Sequence, residues 1–377
     1  MTNMFDYLTW RGDLAFTQDA VNSVDALIFS TLSYIRYAGD LVSDAKAVVT
    51  LKAAAEELFS REISESQYRS KTDLELLRAA ADTLRFGSTR LCMYQDRLIP
   101  EQETQFAAMT FLLDDGTMFL AFRGTDYTLV GWKEDFNMSF RQVVPAQLLA
   151  AQYVREVGAE YFLPMRLGGH SKGGNLAVFA AARSSPILQK RILEVYNNDG
   201  PGFTNYLMGD PGYLAMVPRI KTFVPQSSVI GMLLEHEEPY SVIRSKSVGV
   251  MQHDPYTWEV VGRSFIPVPE ITPSSVFLDA TIKTWYANMT DQERNQLVDI
   301  LYQILSADGV EKAVDIFQPK NIRAYIKAIS GDETIRRSLS AEFISLVNAA
   351  RKVRQELETK REALDEPKKA GLLHEKQ

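Results

Sequence analysis

Met165-Arg166-Leu167-Gly168-Gly169-His170-Ser171-Lys172-Gly173-Gly174-Asn175-Leu176-Ala177-Val178-Phe179-Ala180-Ala181-Ala182 decides the fold. It reads as a short strand, a turn crowded with glycine, and an alanine-rich helix with no breaker. Gly169-His170-Ser171-Lys172-Gly173 fits G-x-S-x-G. In such a nucleophile elbow the serine stands on a tight strand-to-helix turn with its hydroxyl exposed. The glycines have a steric reason, because a side chain at 169 or 173 would strike backbone where strand and helix approach. The helix behind the turn aims N–H groups at the serine and favours negative charge there. A glycine-rich turn that merely packs tightly or holds an anion shares the bare pattern. A nucleotide P-loop does not, because Lys172 precedes Gly173 and the order G-x-x-x-x-G-K-[ST] is absent.

Outward from the elbow, the chain alternates strands and helices. Gln147 to Phe162 is a helix leading into the elbow strand, and Ile192 to Tyr196 is the strand after it. That strand is stopped by Asn197-Asn198-Asp199-Gly200-Pro201-Gly202. Phe106 to Leu113 and Thr117 to Arg123 are β-rich runs around Asp114-Asp115-Gly116, a hairpin signal. Gly131 to Phe136 is a loop or short helix. Ile220 to Val224 is a further strand, and Ser241 to Ser245 is expected to pair with Thr257 to Val261. The expected architecture is α/β: a mixed sheet, antiparallel at its ends and parallel around the elbow, with helical crossovers.

The flanks read differently. Residues 1–90 form an N-terminal helical region packing on the core. Met1 to Ser23 reads as an irregular arm and Val24 to Ala38 as a helix. Ser43 is a cap for a helix through Phe59, and Thr72-Asp73-Leu74-Glu75 is a capping box opening a helix to about Leu84. The core spans 91–266. After Pro267 and Pro269 a helical unit covers 267–350, with helices at Ser274 to Ala287, from the Thr290-to-Glu293 box through Leu305, at Lys320 to Ile329 and at Ala341 to Thr359. Residues 351–377 are strongly charged and read as a frayed tail.

Composition excludes several roles. With 377 residues and a net charge of −7, a general nucleic-acid role through phosphate neutralisation is not expected. One cysteine, Cys92, excludes an intrachain disulfide framework and fits a reducing compartment. No basic stretch followed by an apolar run opens the chain, so no signal peptide and a cytoplasmic location are expected. No run of about 18 apolar residues predicts a transmembrane helix. Transient contact with a membrane surface stays compatible, and the oligomeric state stays open.

A serine hydroxyl needs a base, a group to orient the base, and donors for the oxyanion. The chain has four histidines. His170 adjoins Ser171, points elsewhere around so sharp a turn, and reads as a support beneath the loop. His374 lies in the tail. His253, in Gly249-Val250-Met251-Gln252-His253-Asp254-Pro255, is preferred over His236 as the base. Asp199 follows the strand after the elbow, at the carboxyl edge where ligand groups collect in open α/β sheets. Asp254, Asp210 and Glu235 are weaker candidates for the acid. The order Ser171, Asp199, His253 matches the chain order of serine, acid and histidine in hydrolases. The backbone N–H groups of Lys172 and of Thr125 are the candidate oxyanion donors. No histidine or cysteine cluster suggests a metal, and no organic cofactor is needed.

Phe122-Arg123-Gly124-Thr125-Asp126, Trp132, Asp135 and Gly169 to Asn175 together resemble the fungal-type class 3 lipases. They are more similar still to a bacterial lipase-like family with GHSKGGN and DGPGF blocks, which stand here at 169–175 and 199–203. The resemblance spans Val24 to Arg263. It implies an α/β-hydrolase fold and ester hydrolysis through an acyl-enzyme. It also implies Ser171 as nucleophile, Thr125 in the oxyanion hole and His253 as base. Two departures stand out. The lipases carry leucine after the serine, where this chain has Lys172. Their acid follows the next strand, where this chain reads Pro225-Gln226-Ser227-Ser228, so Asp199 is assigned because an acid one strand earlier can reach the same histidine. The expectation is a serine carboxylic-ester hydrolase acting on a small-molecule or lipid ester, with residues 202–218 as a wall or lid. The alternative is a non-catalytic binding or scaffold protein on a hydrolase frame.

Overall fold

A computed structural model describes residues 2–37, 48–125, 129–138, 141–305 and 329–374. Eight strands form one sheet in simple sequential order: β1 (Val49–Thr50), β2 (Arg90–Ile99), β3 (Thr104–Leu112), β4 (Met118–Phe122), β5 (Met165–His170), β6 (Ile192–Asn198), β7 (Ile220–Pro225) and β8 (Tyr240–Ile243). β1 to β4 pair antiparallel and β4 to β8 pair parallel. The Asp-Gly hairpin joins β3 to β4 as read from sequence.

The sheet carries a core on each face, and strand alternation assigns the residues. Along β4, Phe119 and Ala121 face one core, and Met118, Leu120 and Phe122 the other. The first face is covered by α1 (Met4–Arg11), α2 (Ser23–Leu32), α3 (Leu51–Phe59) and α4 (Lys71–Ala81). Phe29 of α2 sits centrally there, with ring centroids 4.8 Å from Phe111 and 5.0 Å from Phe119. Arg85 and Asp25 are paired beneath it at 2.6 Å, both side chains fully buried. After α5 (Leu129–Met138), the second face is covered by α6 (Pro145–Glu160) and α7 (Lys172–Ala182), which flank the elbow strand. The short α8 (Pro211–Met216) follows β6. This is an α/β-hydrolase-like sheet flanked by helices.

Several local readings are corrected. The N-terminal arm is helical, because Asn3 and Asp6 cap α1 reciprocally. Ser43 lies outside the described residues, and α3 begins at Leu51 with Thr50 as its cap. α4 starts two residues earlier than read from Thr72: Ser70 is the cap, and Asp73 accepts its N–H at 2.8 Å. The β8 edge is parallel, not antiparallel. Thr257 to Val261 does not form a strand along it: only an isolated Ser245–Trp258 bridge connects them, and β9 (Val260–Val261) pairs instead with β10 (Ser264–Phe265).

The C-terminal helices are α9 (Pro273–Ala287), α10 (Asp291–Leu305) and α11 (Glu333–His374). Thr272 caps α9, and Glu293 accepts the N–H of Thr290 at 2.7 Å at the start of α10. The expected helix from Lys320 falls almost wholly outside the described residues. α11 runs as a helix through the charged stretch that the sequence suggested was frayed.

Candidate active site

Ser171 joins β5 to α7 at φ 60° and ψ −135°, a conformation that costs a residue with a Cβ. The turn can be this tight only because its neighbours are glycines. A Cβ on Gly169 would lie 2.1 Å from the carbonyl carbon of Gly173, and one on Gly173 would lie 2.1 Å from the Phe122 carbonyl oxygen. The loop after β4 packs as closely. A Cβ on Gly124 would come within 3.2 Å of Ser171 Cβ, so Thr125 follows a residue that touches the serine.

Asp199 directly follows β6 at φ 53° and is wholly buried. Its backbone N–H donates to Phe223 O at 2.8 Å. Its carboxylate has two partners: Oδ1 accepts the Ser228 hydroxyl at 2.5 Å, and Oδ2 lies 2.6 Å from His253 Nδ1. Asp199 and His253 thus stand together, and Nε2 is left as the ring nitrogen that can face the cavity lined by both His253 and Ser171. Ser228 lies just after β7, in the segment Pro225 to Ser228 that the sequence reading noted only for its lack of a carboxylate. Sequence reading missed its role, because a serine after a strand is an ordinary turn residue.

His253 closes a 3-10 turn, Gly249–His253. Its carbonyl accepts the N–H of His170 Nε2 at 2.8 Å, and the two rings lie 4.6 Å apart. His170 Nδ1 contacts the Tyr34 hydroxyl at 3.2 Å. Burial, aided by the charges of His253 and Arg69, holds the His170 imidazole well below its ordinary range, so it stays neutral. Burial pushes the Tyr34 phenol up to about 12, which keeps it a donor. These partners place the His170 proton on Nε2. The expected support role of His170 therefore has a definite form: it ties the elbow to the backbone of His253.

The other candidates are engaged elsewhere. His236 uses both nitrogens, Nδ1 with Glu238 at 3.1 Å and Nε2 with Gly231 O at 2.9 Å. Asp254 accepts the N–H of Tyr256, Asp210 caps α8 and pairs with Arg183, and Glu235 pairs with Lys283.

In the loop after β4, Thr125 Oγ1 donates to Asp135 Oδ2 at 2.5 Å. Asp135 is partly exposed as a residue, yet its Oδ1 is buried without a hydrogen-bond partner, 3.8 Å from Lys172 Nζ. Burial pushes the Asp135 carboxyl up to about 6, against the pull of Lys172 and of the Thr125 hydrogen bond. The Lys172 side chain turns inward. Its ammonium meets Glu134 Oε2 at 2.9 Å, Gln105 O at 3.0 Å and Gln105 Oε1 at 2.9 Å. Its backbone N–H belongs to the first turn of α7, at the positive end of that helix.

Ser171, His253, Thr125 and Asp135 line one cavity of about 780 Å³. Its far wall comes from α9 and α10. Of the segment expected as a lid, residues 202–218, the side chains of Leu207, Tyr213 and Met216 are core, and only Phe203, Thr204 and Asn205 reach the cavity. Among the described residues no group of His, Cys, Asp or Glu is arranged to hold a metal ion, and no helix is long and apolar enough to cross a membrane.

Solved structures with a similar course of chain are fungal lipases. The Rhizomucor miehei lipase–propeptide complex is 13% identical over 68% of this chain and 90% of its own, at a TM-score of 0.35. Lipase II from Rhizopus niveus is 17% identical over 60% of this chain and 83% of its own, at 0.32. No curated relative matches the sequence. The Mbeg1-like family model matches residues 80–303, from the helical cover through the elbow, the Asp199–His253 pair and into α10, and with more than half its length so matched the chain belongs to the Mbeg1-like family.

Proposed function

We propose that this chain is a serine hydrolase that cleaves a carboxylic ester through an acyl-enzyme. One observation carries the reading: Ser171, on a strained elbow, and His253, with Nδ1 2.6 Å from buried Asp199, line the same cavity. Ser171 Oγ attacks the ester carbonyl carbon while His253 Nε2 takes the hydroxyl proton. The imidazolium then gives that proton to the leaving alcohol. Water attacks the acyl-enzyme by the same route in reverse, and the acid is released. Asp199 keeps Nδ1 protonated and stabilises the imidazolium. The backbone N–H groups of Thr125 and Lys172 donate to the oxyanion, and Asp135 fixes the Thr125 side chain.

We assign the activity to the cytoplasm. The single cysteine, Cys92, is free and buried, so no intrachain disulfide is formed, which fits a reducing compartment.

A fluorophosphonate probe tests the reading. It should label the wild type at Ser171 and leave Ser171→Ala unlabelled, with ester turnover falling about 10⁴-fold or more in the variant. A folded wild type that neither takes the label nor turns over any ester would sink the proposal in favour of a binding protein on a hydrolase frame.

A further inference from the structure

The backbone and the side chain of Lys172 serve different places. Its backbone N–H opens α7 beside Ser171. Its side chain is 1% exposed. A buried ammonium is costly unless partners take the place of water. It has three N–H donors, and Glu134 Oε2 with two oxygens of Gln105 offers three acceptors at 2.9 to 3.0 Å. Asp135 Oδ1 stands 3.8 Å from the same nitrogen, buried and without a hydrogen bond. That oxygen is met by charge rather than by a donor. A buried carboxylate oxygen left so needs a cation beside it, and Lys172 is that cation.

The other oxygen of Asp135 does the holding. Oδ2 accepts the Thr125 hydroxyl at 2.5 Å. Thr125 follows Gly124, where a Cβ would lie 3.2 Å from Ser171 Cβ. The loop that carries one proposed oxyanion donor is thus pinned beside the serine through Asp135. A charged acceptor makes such a bond roughly twice as strong as a neutral one, so the pin weakens when Asp135 takes up a proton.

We propose that the Lys172 side chain is a positioning residue for the oxyanion hole: its ammonium holds the Asp135 carboxylate on Thr125, while its own backbone N–H supplies the second donor. The proposal rests on the hydrolase reading of Ser171.

The charges around Asp135 decide how firmly the pin is set. Burial pushes its carboxyl up to about 6, Lys172 and His253 pull it down, and Glu134, its neighbour on α5, pushes it up. Tyr34, held neutral by burial, adds no charge at working pH. On the elements packed against α5, Glu103 pairs with Lys133 and Arg141, and Asp299 of α10 pairs with Lys133. Around the shared cavity Arg69 pairs with Asp73, Lys283 with Glu235, and Arg294 donates to Tyr286 O. Lys172 is therefore the charge whose removal Asp135 should feel most.

The test is the acid limb of p-nitrophenyl butyrate turnover, read on the full chain. Glu134→Gln leaves the ammonium with Asp135 as its counter-charge, so the limb should lie at or below that of the wild type. Adding Lys172→Met keeps the backbone N–H, and the limb should then lie at least about half a pH unit above that of Glu134→Gln alone. The loss should fall on kcat with KM little changed, because the hole meets the oxyanion and not the ground state. In an Asp135→Asn background the same comparison should move nothing. A merely structural lysine would lower Tm and turnover alike at every pH.

A second arm needs no turnover. Carbon NMR of labelled aspartate carboxyls, with the Asp135 signal identified by its loss in Asp135→Asn, reads the titration midpoint directly. It should be higher in the double variant than in Glu134→Gln. If the double variant does not fold, Glu134→Gln decides alone, with a midpoint below that of the wild type. An unmoved midpoint, or a limb that moves as far in the Asp135→Asn background, overturns the proposal and leaves the hydrolase reading intact. A wild type that hydrolyses nothing sinks the hydrolase reading, and the midpoint still decides whether Lys172 secures Asp135 on Thr125.

Discussion

Asp199 and His253 are joined by one short contact, and two neighbouring residues hold that contact in register. Ser228 donates to the free oxygen of Asp199, and His170 donates to the carbonyl of His253. Asp199→Asn keeps the shape but offers Nδ1 an amide in place of a carboxylate. Turnover should drop by about 10⁴-fold with Tm little changed, and steady-state kinetics with a melting curve check this. His170 gives a pH signature. Its folded pKa is depressed below the ordinary 6.5, so the stability it confers is complete above 6.5 and drains away as pH falls from there. His170→Gln removes that titration. Urea unfolding at pH 7.5 and pH 5 should show a smaller acid loss in the variant than in the wild type. An equal loss would mean that the buried imidazole is not what titrates.

At the scale of elements, the elbow helix and α5 are bolted together by the buried pair of Lys172 and Glu134, 1% and 0% exposed. Glu134 also accepts the N–H groups of Gln105 and Ala146, so it anchors β3 and α6 to the same point. Lys172→Met strands a buried carboxylate and should cost about 3 kcal/mol. Adding Glu134→Gln restores neutrality and keeps an acceptor for the backbone, so most of that loss should return in the double variant. Denaturant titration of both proteins decides it, and an equally unstable double variant would show that packing rather than charge governs the site. Lys172 was legible in sequence only as a departure from the lipase pattern. Its partner was not, because Glu134 lies 38 residues earlier on another helix and only the fold brings them within 2.9 Å.

The same contrast runs through the other elements. The elbow was legible because its glycines have a local steric cause, and the β3–β4 hairpin because Asp-Gly is a local turn signal. Asp199 and His253 were legible as candidates because histidines are few and the order along the chain is informative. What was not legible depends on distant partners. The parallel pairing of β8, the contact of Ser228 with Asp199 and the placing of α9 and α10 over the cavity leave no local signature, although the two helices themselves were legible. Three-residue offsets misplaced the cap of α4, since Ser70 and Thr72 are both plausible caps and only packing of Asp73 against Arg69 and Tyr256 selects between them.

For the molecule as a whole, burial is uneven. β3, β4 and β5 are buried along their entire length, while α9 buries only Ser275 and Thr281 fully. Local opening follows local burial. Amide hydrogen exchange read by mass spectrometry should find β3 to β6 slowest and α9 and α10 faster by orders of magnitude. Attaching a long-chain phosphonate to Ser171 should slow α9 and α10 selectively. Uniform protection across sheet and helices before labelling would refute this division.

One feature of the sheet has a mechanical outcome. Ser171 donates its backbone N–H to Asn198 O at 2.9 Å, and Asp199 is the very next residue, so the proposed nucleophile and acid ride on two laced neighbouring strands. The imidazole arrives on a long detour past β8 and hangs from a handful of hydrogen bonds. It is the detachable member. Under the proposed chemistry, warming or mild denaturant should silence turnover first, by letting the histidine swing out before the sheet beneath it melts.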